Sequence, residues 1–100
     1  MEMLCIVDSG NTYRVRKEEE GCSIFGPGHF IEGNDVLFDI LKTFDKNDTE
    51  NGFNILLKEY QVEPEILKQD LLDIAEGFLA NKIFIEMAGK INRAFSEEKK

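Results

Sequence analysis

The residues able to do chemistry are few, and their spacing gives them little to do. His29 is the only histidine, and it follows the run Gly26-Pro27-Gly28, a turn after which a surface histidine is expected rather than a catalytic one. Cys5 and Cys22 are the only cysteines and form no Cys-x-x-Cys pair. That speaks against a zinc or iron–sulfur centre built from this chain alone. Nothing marks the chain as secreted, so both thiols are expected to be free and partly buried. Glu18-Glu19-Glu20 reads as a solvated turn, not an acid/base pair. Ser9, Ser23 and Ser96 lack the strand–turn–helix setting of a nucleophilic serine. Gly26-Pro27-Gly28 is too short, and too constrained by its proline, to cradle phosphate. The expectation is a protein without catalytic residues, metal or cofactor.

Charge narrows the partners. The net charge is −8, with five Lys/Arg against eleven Asp/Glu in residues 1–50 and seven against nine in residues 51–100. Nucleic-acid binders neutralise phosphates with Lys and Arg, and docking on anionic lipid needs the same sign, so both classes are disfavoured. No apolar run approaches the ~20 residues of a membrane span, and Met3 to Val7 lacks the flanks of a signal peptide. A cytoplasmic protein is expected.

The elements that must position any site follow from hydrophobic period. Met3 to Val7 is a short apolar run of strand-formers, ended by Asp8-Ser9-Gly10-Asn11. Tyr13 to Arg16 alternates apolar and basic, Cys22 to Phe25 is another short strand, and His29 to Glu32 returns after the Gly-Pro-Gly turn. At Gly33-Asn34 the period becomes helical, with Asn34 as N-cap and Asp35 where the helix dipole favours an anion. Val36, Leu37, Ile40, Leu41 and Phe44 make the apolar arc, with Phe38 just off it and partly exposed. A second helix starts near Asp48 or Thr49, with Phe53, Leu56, Leu57 and Tyr60 as its apolar face and Gly52 weakening it. Gln61-Val62-Glu63 connects it to a third helix from Pro64 to about Asn81, a helix-turn-helix arrangement. That third helix carries two apolar stripes, one of Ile66, Leu67, Leu71, Ile74 and Phe78 and one of Leu72, Ala75 and Leu79. Two stripes exceed what resting on one core usually requires: either the helix is wedged deep in a small core, or one stripe faces the core while the other walls a groove. Its polar positions, Glu65, Lys68, Gln69, Asp70, Asp73 and Glu76, would repel a DNA backbone. Phe84, Met87, Ile91 and Phe95 continue a helical spacing, before a polar end from Ser96 to Lys100.

From Tyr13 to about Phe84 the chain resembles the PqqD-like family, which recognises the leaders of ribosomally made, post-translationally modified peptides. The resemblance rests on Tyr13-Arg14-Val15-Arg16, Ile24-Phe25-Gly26-Pro27, and above all Ile31-Glu32-Gly33-Asn34-Asp35-Val36 followed by Ile40-Leu41. Asp45 to Thr49, Tyr60 before Val62, and Asn81-Lys82-Ile83 complete it. It departs at Gly33, where the family usually has a bulky apolar residue, and at Lys46, where a glycine is common.

The resemblance implies a winged-helix-like α+β fold, a small three-stranded antiparallel sheet followed by three helices. In it a leader peptide adds as a strand beside His29–Glu32 and lies against the third helix. It further implies a modifying enzyme as partner, often a radical S-adenosylmethionine maturase. The expected organisation is a peptide-recognition domain over residues 1–84 and a helical extension or tail over 85–100. The expected contacts are Phe30, Ile31 and Glu32 on the strand and Leu71, Leu72, Ala75, Phe78 and Leu79 on the helix. The stripe after Ile83 is expected to stay exposed, dispensable for folding, and to meet the maturase or a second copy in a homodimer. The alternative is a winged-helix interaction or regulatory module with another partner.

Overall fold

A computed structural model describes residues 2–95 of the chain. Two two-residue turns set the register of the sheet. The strands β1 (Met3–Asp8) and β2 (Asn11–Lys17) meet at Ser9-Gly10, both with positive φ, 56° and 80°, as a type I′ turn requires. Between β3 (Cys22–Gly26) and β4 (His29–Gly33) the loop is Pro27-Gly28, with Gly28 at φ 72°. Proline pre-sets the first position and glycine supplies the positive φ of the second, the chemistry of a type II turn. The strands form one antiparallel meander in the order β1-β2-β3-β4, leaving β1 and β4 as its edges.

Glu18 to Gly21 join β2 to β3, and this loop is not simply solvated. The Glu18 carboxylate accepts hydrogen bonds from Ser23 Oγ at 2.8 Å and Arg16 Nε at 2.9 Å. Those bonds, Ser23 first, hold the carboxyl below its ordinary range. Glu19 and Glu20 are exposed. At φ 88° Gly21 packs its α-carbon against the Gly33 carbonyl oxygen, which any Cβ there would overlap.

Helix α1 (Asp35–Lys46) closes the inner face of the sheet over β2 and β3. Asn34 caps it, its Oδ1 accepting the Leu37 amide at 2.8 Å. Asp35 Oδ1 binds both the Gly21 amide and Lys17 Nζ, at 2.8 and 2.9 Å, so the helix start is tied to the β2–β3 loop. The buried arc runs from Ile40 through Phe44 and Leu41 to Phe38. Phe38 is therefore core, 1% exposed, and first-turn Val36 is 42% exposed. That reverses the expected assignment, because the helix is rotated on its axis towards Phe38. Leu4, Ile6, Tyr13, Val15, Cys22 and Ile24 complete this core.

The chain divides into two compact units, the sheet with α1 and the helices that follow residue 47. In the second unit α2 (Thr49–Tyr60) is capped by Asp48, whose Oδ1 accepts the Asn51 amide at 2.8 Å, and ends at Gln61 in a left-handed conformation. Helix α3 (Pro64–Asn81) starts with proline in its first turn and ends at Lys82, also left-handed. Helix α4 (Ile85–Phe95) packs on α3. Among the described residues, four strands and four helices confirm the α+β class and correct the expected count of three and three.

The expected exposed stripe is also corrected. Ile83, Phe84, Met87 and Ile91 are all buried, Phe84 stacks on Phe78 at 5.1 Å, and Phe95 meets Phe53 at 4.8 Å. Helices α2 to α4 have too little apolar surface between them to leave that stripe out of their common core. These residues are packed inside this unit rather than presented as an exposed stripe. The expected polar end, Ser96 to Lys100, lies outside the described residues.

Candidate functional site

The sequence directs attention to β4, and its pairing decides which of its residues can act. In an antiparallel hairpin the residues flanking a two-residue loop exchange both backbone bonds, and such pairs then alternate along the ladder. Gly26:His29, Ile24:Ile31 and Cys22:Gly33 are therefore the bonded pairs. Phe30 and Glu32, opposite Phe25 and Ser23, turn their N–H and C=O groups to the open edge. The same rule on β1 is checked by the Lys17 amide, which donates to Glu2 C=O at 2.8 Å, the next pair expected beyond Leu4:Val15.

Side chains alternate with equal effect. Phe30 projects from the outer face and is 58% exposed, its ring 5.1 Å from Phe25. The Arg16 guanidinium reaches diagonally to 5.2 Å from the Phe25 ring, so an arginine and two phenylalanines cluster on the outer face of three strands. Glu32 is exposed on the same face, beside the buried Ser23. Ile31 points inward and is half-buried. Near the end of the strand, Gly33 lets the Leu37 side chain of α1 settle against the backbone, where a Cβ would come within 2.5 Å of Leu37 Cδ2. His29 at the other end is half-buried, its Nδ1 at 2.8 Å from Pro27 C=O. That contact makes Nδ1 the protonated nitrogen, since a carbonyl can only accept.

On α3 the expected contacts divide. Leu71, Ala75 and Phe78 are buried, and with Leu67 they are the core stripe of the helix. Ala75 was expected on the groove side; it is 0% exposed. It is fully buried in the helical unit, as is Ala88 of α4. Leu79 is 43% exposed and Leu72 half-buried, and at helical period they lie together on one flank of the buried arc. Ile66, which shares the apolar stripe of Leu67, Leu71 and Phe78, is 55% exposed. The core takes Leu67, Leu71 and Phe78 from one stripe and Ala75 from the other, a division that spacing alone does not reveal.

Little else among the described residues gathers reactive groups. Among the described residues no three His, Cys, Asp or Glu side chains converge as metal ligands, and no helix is long and apolar enough to cross a membrane. Cys5 is exposed and Cys22 buried, and burial raises the Cys22 thiol above its ordinary range. An open hollow along α2 is lined by Asn47, Asn51, Asn54, Ile55, Lys58 and Glu59, and it includes none of the expected contacts. Compared with protein families, with characterised proteins and with solved structures, the chain matches none.

Proposed function

We propose that this chain is a non-catalytic peptide-capture domain that takes the leader of a precursor peptide as an added strand on β4 and presents it to a separate modifying enzyme. The observation that carries the reading is the open edge at Phe30 and Glu32, whose backbone groups offer an extended peptide two donors and two acceptors. Such bonds contribute about 1 kcal/mol each, whereas micromolar affinity needs about 8 kcal/mol. The remainder must come from side chains, and the Phe25–Phe30 pair supplies an aromatic platform on the outer face.

The PqqD-like resemblance supports the reading. It spans β2 to β4 and α1 to α3, three strands and three helices, with β1 and α4 added at either end. On that reading the partner enzyme is of the radical S-adenosylmethionine type. The winged-helix alternative, with α3 as a DNA-reading helix, is opposed by charge. Glu65, Asp70, Asp73 and Glu76 face solvent with only Lys68 among them, and such a surface repels phosphate.

Isotope-labelled protein titrated with candidate leader peptides tests the proposal. Amide shifts at Phe30 and Glu32, larger than at Ile31, are expected. Leu79→Asp tests α3 separately and should weaken binding about tenfold or more if Leu79 meets the leader. Leaders that leave the β4 amides unmoved overturn the reading.

A further inference from the structure

We propose that the opposite edge, β1, pairs with β1 of a second copy to join two sheets into one. The pairing rule turns the backbone groups of Met3, Cys5 and Val7 to that edge, since Leu4, Ile6 and Asp8 bond to β2. These three residues are symmetric about Cys5. An antiparallel copy related by a two-fold axis at Cys5 sets Met3 against Val7 of its partner and Cys5 against its own counterpart, and every open N–H and C=O finds a mate. An interface that meets itself in this way is the isologous kind that closes as a dimer.

Side chains and charge favour the same occupant. Met3 is 55% and Val7 68% exposed, and Cys5 is exposed. The strand has no proline, lysine or outward charge of the kind that normally blunts an edge. Two chains of net charge −8 repel each other, so they can meet only along a line without carboxylates. β1 is such a line: Asp8 is buried, Glu2 is paired with Lys42, and the outward residues of the next strand include Arg14 and Arg16. The β4 edge has only two open positions, and one of them is Glu32. Pairing at β1 leaves β4 free, so this inference stands or falls apart from the leader reading.

The test is sedimentation equilibrium across the micromolar range, with a short bismaleimide to capture paired Cys5 thiols. Wild-type chain should dimerise reversibly and give a Cys5–Cys5 adduct, since an opposed bonded pair has its α-carbons about 5.5 Å apart. Val7→Lys should weaken the dimer and the adduct about tenfold or more, whereas Phe30→Lys should change neither. The crosslink on the unsubstituted chain does not depend on either variant's folding. A wild-type chain that is monomeric throughout, or a dimer removed by Phe30→Lys and not by Val7→Lys, overturns the proposal.

Discussion

Edges β1 and β4 belong to the same meander, yet they present different chemistry because only alternate residues count. On β1 the outward residues are Met3, Cys5 and Val7, three neutral side chains over six residues. On β4 they are Phe30 and Glu32, an aromatic and an acid over five. A uniform edge suits a copy of itself. A mixed edge suits a partner whose own alternation is complementary, with an apolar residue for Phe30 and a cation for Glu32. Overall composition, acidic here, therefore describes neither surface.

The sharpest way to break the comparison is proline, which removes one N–H at a chosen parity. Ile31→Pro takes a donor from the ladder with Ile24 and leaves a buried carbonyl unpaired. We expect a loss of about 2–4 kcal/mol in chemical denaturation of the sheet unit. Phe30→Pro faces the open side and should cost under about 1 kcal/mol, while on the proposed strand-addition reading it lowers leader affinity about tenfold. Equal destabilisation by both would show that the parity of β4 is misassigned.

A second variant separates the edges by distance. Gly21→Ala forces an L-residue to φ 88° and drives a Cβ into the Gly33 carbonyl at the end of β4. A cost of about 2 kcal/mol is expected, with faster amide exchange along β4 than along β1. Uniform acceleration over both strands would mean that the sheet opens only as a whole.

The smallest effect concerns the exposed Lys17–Asp35 pair. The hydrogen bond from Lys17, then that from the Gly21 amide, lowers the Asp35 carboxyl, and the bond to Asp35 raises Lys17. For the lowered acid the contribution to stability is present above the ordinary aspartate range, about 4, and is lost as pH falls through the depressed folded value. For the raised amine it is complete below the ordinary lysine range and is lost as pH rises through the elevated folded value. Asp35→Asn should lower the neutral plateau of a melting-temperature profile slightly and converge with the wild type in acid, so that the acid limb is flattened. An unaltered acid limb would remove this pair from the account.

Much of the fold was legible because punctuation and period agreed. Asn34 and Asp48 are caps where a short acceptor precedes a helical period, and Pro64 opens α3 as proline at a first turn should. β1 was harder to place, since Met3 to Val7 are all apolar and show no alternation, so neither its faces nor its partner could be read. The break between α3 and α4 carries no glycine or proline; Lys82 and Phe84 adopt φ 60° and 49°, held there by the burial of Phe84 against Phe78. That is a tertiary cause with no local signature. For the candidate site, Phe30 to Glu32 was legible as a strand, but its parity needed the loop count, and Ala75 needed its neighbours.

The meander itself has a kinetic consequence. Every strand pairs with its sequence neighbour, through two turns of two residues and one loop from Glu18 to Gly21. No long chain segment has to be closed before the pairing rewards it, so the entropic barrier typical of sheet proteins is small. Hairpins of this kind form in about 1–10 μs. The sheet unit should therefore fold quickly for a β structure. Rapid closure limits the time during which two unpaired edges and an apolar inner face are exposed together, which is when such a chain is most prone to aggregate.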